Sequence, residues 1–325
     1  MAAGRGTGTR GDGTARGAVR TAGRRTALRG AAALGGALAL TAAAVAPATA
    51  SAGHGARPAH HGPAVRYAAL GDSYTSGPYI PTQVDANCAR SDQDYPSLTA
   101  AAEHVAGFTD VSCSGATTAQ MWQPQGANGP QLDAVDRGTT LVTVQIGGND
   151  IGFSSIIATC AGLTASDPAG SPCKQHYGAG GVDQLTLNVL RTAPEVDQVL
   201  RAVHSRAPHA RVVVVGYPDL LPDDAVPCTS PIVPFAAGDF AYLRDTEKKL
   251  NAMLRIEALI HGDEYADTYT PTIGHDMCKP AADRWVEPLA PASPAAPAHP
   301  NAKGEQAMAA ALLARLDAPG RGHRW

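Results

Sequence analysis

Aromatic residues make up only 5 % of this 325-residue chain and charged residues 17 %, and no apolar run is long enough to cross a membrane comfortably as a helix. Stable membrane insertion is therefore not expected. No two cysteines stand at C-x-x-C spacing and no histidine–cysteine cluster marks a zinc site, so redox or metal chemistry is the weaker alternative. No linker divides the middle of the chain, and its length suits one large domain with a single buried core.

The first fifty residues read as a secretion signal peptide. Seven arginines from Arg5 to Arg29 form a cationic start, 31–45 is apolar and free of charge, and Ala48-Thr49-Ala50 offers a small-residue cleavage site. Arg24-Arg25 leaves general and twin-arginine export both open. Removing this segment, with its seven Arg and one Asp, takes the net charge from −3 to −9. An acidic, exported protein is a poor nucleic-acid binder. Residues 51–64, with His54, His60 and His61 among Gly, Pro and Ala, read as a disordered lead-in whose histidines have nothing to fix a metal geometry. The domain proper is expected over 65–318, followed by a short tail, 319–325. Its six cysteines, Cys88, Cys113, Cys160, Cys173, Cys228 and Cys278, imply three disulfides in an oxidising compartment, with the connectivity left open by count alone.

The stretch Val65–Gly77, VRYAALGDSYTSG, organises the domain. An apolar run stops at Gly71, the pattern of a buried strand entering a tight turn, and Ser73 follows where the free N–H groups of a helix start favour negative charge. Asp and Ser there could equally just cap a helix. Two further strands, 108–113 and 141–146, also run into clusters of glycine and polar residues, Ser114-Gly115-Ala116 and Gly147-Gly148-Asn149-Asp150. A long amphipathic helix is expected over 182–206, kinked or broken at Pro194. A buried strand over 211–216, a helix over 235–261, a short strand over 264–267 and a last helix over 301–316 complete a β/α alternation. That alternation means a three-layer α/β/α domain around a central parallel sheet.

Gly71-Asp72-Ser73-Tyr74, Gly115, Gly147-Gly148-Asn149-Asp150 and His299-Pro300 occur in one order, and in this the sequence resembles the SGNH hydrolases, or GDSL esterases and lipases, especially their secreted actinobacterial branch. The resemblance spans roughly 65–316 and implies a flavodoxin-like fold and a serine hydrolase of carboxylic esters. Ser73 would be the nucleophile and His299 the general base. The backbone N–H groups of Ser73 and Gly115 and the side chain of Asn149 would form the oxyanion hole. The chemistry agrees: serine needs a base, imidazole titrates in the useful range, and a developing oxyanion needs preorganised donors. The resemblance also implies sequential disulfides, Cys88–Cys113, Cys160–Cys173 and Cys228–Cys278, which close local loops. No cofactor or metal is implied, and a monomer is expected.

One departure stands out. Where the family commonly has Asp, three residues before the histidine, this chain has Ala296. The expectation is a Ser73–His299 dyad with a backbone carbonyl of Ala296 or Pro297 orienting the ring, and with Asp276, Asp283 and Glu287 as rival carboxylates. Tyr79, Ile80, Trp122, Phe153, Ile156, Ile157, Leu220, Leu221 and Trp285 are candidates for an acyl groove. The resemblance leaves the ester open, from triacylglycerols and phospholipids to simple esters, acetylated sugars and thioesters. The alternative is a catalytically silent carbohydrate- or surface-binding protein on the same fold.

Overall fold

Residues 64–318 are described in a computed structural model. The expected signal peptide, the histidines of the expected lead-in and the tail 319–325 lie outside the described residues. Strand β1, Arg66–Gly71, is buried from Tyr67 onward. It ends at a position only glycine can fill, because a Cβ on Gly71 would lie 2.0 Å from Thr75 Oγ1 and 2.9 Å from the Gln145 carbonyl. The single helical turn α1, Ser73–Ser76, follows with Asp72 as its cap. A small antiparallel hairpin, β2 (Gln83–Asp85) and β3 (Arg90–Ser91), carries no alternating apolar pattern and is not legible as strand in the sequence.

Helix α2, Tyr95–Ala102, is capped by Asp94 and has proline in its first turn. Strands β4 (Gly107–Asp110) and β5 (Leu141–Gln145) come next, followed by helices α3 (Phe153–Leu163), α4 (Pro172–Gly178) and α5 (Gln184–Arg206). The expected break at Pro194 does not occur. Val189 and Thr192 before it, and Val196, Val199, Leu200 and Val203 after it, are all buried, so packing carries the helix through the missing N–H. Strand β6 (Arg211–Val215), helix α6 (Phe240–His261), strand β7 (Glu264–Ala266) and helix α7 (Ala302–Asp317) close the order. Asn301 caps α7 by accepting from the N–H groups of Lys303 and Gly304, which leaves Pro300 just outside the helix.

The five-stranded sheet runs β4-β1-β5-β6-β7, parallel throughout. Side-chain alternation sorts its two faces. Tyr67, Ala69, Val213 and Val215 pack with Tyr95 of α2 and Met308 and Leu312 of α7. Ala68, Leu70, Val142, Val144, Val212 and Val214 pack with Val199 of α5 and Leu250 and Leu254 of α6. Each buried Val, Leu or Met among them contributes roughly 1.5–3 kcal/mol on burial. The chain leaves β1 toward β4 on one side and later returns to β5 on the other. The carboxyl end of β1, where Ser73 sits, is thus the topological switch point at which open parallel sheets bind ligands.

Candidate active site

The turn after β1 fixes the nucleophile candidate. Asp72 is buried; its Oδ1 accepts from the Tyr74 N–H at 2.9 Å and its Oδ2 from the Tyr217 hydroxyl at 2.6 Å. That hydroxyl in turn accepts from the Gly148 N–H at 2.9 Å, so one tyrosine ties the serine turn to the loop after β5. Burial outweighs the two hydrogen bonds to Asp72 and raises its pKa to about 7.

Ser73 Oγ lies 2.7 Å from His299 Nε2. The other ring nitrogen, Nδ1, lies 2.7 Å from the Pro297 carbonyl oxygen, which can only accept; Nδ1 therefore carries the hydrogen and Nε2 is free to take one from the serine. Tyr74 stacks on the imidazole at 4.7 Å between centroids, Phe153 meets it edge-on at 5.9 Å, and the Tyr74 hydroxyl donates to the Ala298 carbonyl at 2.6 Å. Burial lowers the pKa of His299 to about 4, against a weaker raising by the Pro297 carbonyl. None of the rival carboxylates reaches the ring. Glu287 is buried against Arg284 and Asn301, Asp276 accepts from the Cys278 N–H and faces Lys279, and Asp283 meets His275 through its backbone carbonyl.

The two flanking strands supply donors. Gly115 follows β4 with φ +82°, a conformation that favours glycine. Asn149 follows β5, and its Nδ2 donates to the Ala116 carbonyl at 2.9 Å, which orients the amide and leaves its second hydrogen unused. Asp150 accepts from the Thr118 N–H and hydroxyl at 2.9 and 2.6 Å, so it braces these two loops rather than capping a helix at Ile151; α3 begins only at Phe153, behind Gly152. Among the described residues, neither the Ser73 nor the Gly115 N–H has an acceptor.

Beside Ser73 opens a cleft with apolar walls that include Phe153, Ile156, Ile157, Leu220 and Leu221. Four other groove candidates lie elsewhere: Tyr79 and Trp122 are exposed, Ile80 is core, and Trp285 stacks on His275. Glu247 also lines the cleft, where burial and then Asp219 raise its pKa well above the ordinary value. Sequence reasoning misses Glu247, Tyr217 and the platform role of Tyr74. For Tyr217 the signal was its place directly after the strand end Val215-Gly216.

The structure joins Cys88 to Cys113, Cys160 to Cys173 and Cys228 to Cys278. The first bridge anchors the loop that carries Gly115 beside the β2–β3 hairpin. By the chain-entropy account, closing a loop the size of the second stabilises by roughly 3 kcal/mol.

The model of the GDSL-like lipase/acylhydrolase family matches residues 69–307. The chain belongs to that family. A lipase of Streptomyces coelicolor, Lipase 2, is 41 % identical over 260 residues, covering 78 % of this chain and 86 % of the relative. Among solved structures, the extracellular lipase of Streptomyces rimosus superposes with a TM-score of 0.64 at 30 % identity, covering 78 % of this chain and all (100 %) of that one. Phospholipase A1 of Streptomyces albidoflavus NA297 also gives 0.64, at 28 % identity and covering 78 % of this chain and 99 % of its own. As a GDSL-family member the protein is an ester hydrolase on an α/β fold. All three of these relatives are hydrolases, and nothing in them favours a silent binding module.

Proposed function

We propose that this protein is an exported, monomeric serine hydrolase that transfers the acyl group of apolar carboxylic esters to Ser73 and then to water. The observation that carries the reading is the 2.7 Å approach of Ser73 Oγ to His299 Nε2 at an apolar cleft, with Nδ1 held by a carbonyl. Ser73 Oγ attacks the ester carbonyl carbon while its proton passes to Nε2. The oxygen turned anionic lies against the Ser73 and Gly115 N–H groups and the free amide hydrogen of Asn149. Collapse expels the alcohol, which takes the proton from Nε2. Water then repeats the sequence on the acyl-enzyme and releases the acid.

No metal or organic cofactor enters these steps. The lipases and the phospholipase among the relatives support lipid esters as the substrate class, and the apolar side chains of the cleft wall support an acyl chain in it. Export with loss of residues 1–50 accords with the three disulfides. Wild type and Ser73→Ala, assayed on p-nitrophenyl esters of short, medium and long acyl chains, test the reading. Wild type should be fastest on the chains the cleft accommodates and the variant inactive on all. Equal rates would sink the assignment.

The pH profile gives a second test. His299 must be neutral to accept the serine proton, and its pKa is lowered to about 4 rather than the ordinary 6.5. The acid limb of kcat/KM is thus expected well below pH 6.5, with substantial activity at about pH 5.5, where an ordinary histidine would be mostly protonated. An acid limb at 6.5 or above in a rate profile would contradict the burial argument.

A further inference from the structure

Far from Ser73, helices α5 and α6 bring together a set of side chains that ester hydrolysis does not use. Glu257 and His261 stand four residues apart on α6, one turn above the other, and Asp197 faces them from α5. One ligand atom from each lies within 4.8 Å of the others, and His261 Nε2 is already 2.9 Å from Asp197 Oδ1. Helix α6 runs back along the sheet and hands on to the start of β7, so its last turns lie toward the amino ends of the parallel strands, opposite the serine.

Glu257 is the telling member. Most of its side chain is buried, at 8 % exposure for the residue, while its carboxylate keeps contact with solvent and has no hydrogen-bond or ion-pair partner among the described residues. Nearby, Asp263 gives one oxygen to His204 at 2.8 Å and keeps the other buried without a partner, and the His204 ring stacks 6.1 Å from that of His261. The fixed cation of the cluster is Arg201, which forks onto Asp197 at 2.8 and 3.0 Å; its side chain is 68 % exposed and can turn into water without burying a charge.

We propose that Asp197, Glu257 and His261 form a binding site for one divalent d-block cation, zinc by its donor set. Two carboxylates within 4.8 Å of each other repel, and a cation among them and an imidazole removes that repulsion. The histidine argues against calcium and magnesium, which take oxygen ligands, whereas zinc takes imidazole nitrogen and carboxylate oxygen at about 2.0–2.2 Å. Small side-chain rotations bring Glu257 to the distance His261 and Asp197 already keep. The hydrogen on His261 Nε2 moves to Nδ1 or leaves as the metal binds. Joining α5 to α6, the ion is structural and takes no part in hydrolysis.

Chelator-stripped full-length protein titrated with ZnCl2, by calorimetry and by thermal melting, tests this. One zinc per chain and a rise in Tm of about 5 °C in excess zinc are expected, with no rise in Mg2+ or Ca2+ and with hydrolysis unchanged by chelator. Co2+ should give a visible absorption band that Glu257→Gln and His261→Ala abolish together with the zinc-dependent rise, both variants remaining active on esters. If His261→Ala fails to fold, Glu257→Gln, which keeps size and shape, decides alone. No rise in wild type overturns the site. So does an undiminished rise in Glu257→Gln, which would point instead to His54, His60 and His61.

Discussion

Replacing His299 by alanine is expected to lower kcat by about 10⁴-fold or more, because a neutral serine has no other base within reach. The comparison that gives this result its meaning is with the nearby acids. A triad aspartate changed to its amide costs about 10⁴ in kcat, since it both fixes the tautomer and stabilises imidazolium. Here the Pro297 carbonyl fixes the tautomer at 2.7 Å, and no side chain supplies the charge. Asp276→Asn and Asp283→Asn should each cost less than about tenfold, while Glu287→Gln strands Arg284 in a buried pair and is read in stability instead. A loss near a thousandfold in either aspartate variant, with circular dichroism unchanged, would show that a carboxylate completes a triad after all.

Asn149→Ala should reduce kcat by about 10²–10³-fold while KM moves little, the pattern of a donor that meets its partner only in the transition state. The reasoning is geometric. One amide hydrogen is committed to the Ala116 carbonyl, so the group enters the reaction already aimed and gains no entropy cost at the moment charge develops. The Ser73 and Gly115 N–H groups belong to the backbone and survive any side-chain change, which bounds the loss. Steady-state kinetics on a single ester resolve the split, and a rise in KM at constant kcat would assign Asn149 to ground-state binding.

Strands β1, β5 and β6 were readable because each is a short β-branched or apolar run cut off by glycine; 141–145 and 211–215 fall within a residue of their expected limits, whereas β4 ends at Asp110, short of the expected 113. Ser73 and Asn149 were visible as residues just past those cut-off points, and Gly115 and His299 as members of one ordered set of motifs; Ser73 and His299 meet at 2.7 Å. What failed to show was whatever depends on partners distant in the chain. Pro194 breaks no helix because tertiary packing overrides the local cost. Tyr217 meets Asp72 across 145 positions, a contact no local pattern announces. The groove candidates mixed core, surface and cleft, since an apolar side chain serves all three equally well. The Glu257–His261 pair did have a signal, the four-residue spacing on a helix, but its third member comes from another element.

Burying Asp72 and His299 at one site also settles how the folded protein trades protons with water. Between about pH 4 and 6.5 the native His299 declines a proton that an unfolded chain would hold, so on its account stability grows as pH rises. Over the same span the native Asp72 retains a proton, up to about pH 7, that an unfolded chain gives up near 3.8, so on its account stability shrinks as pH rises. The two slopes run against each other across the shared window. Folding around this pair takes up one proton and releases another, so the pair itself adds little net pH dependence to stability between about pH 4 and 6.5.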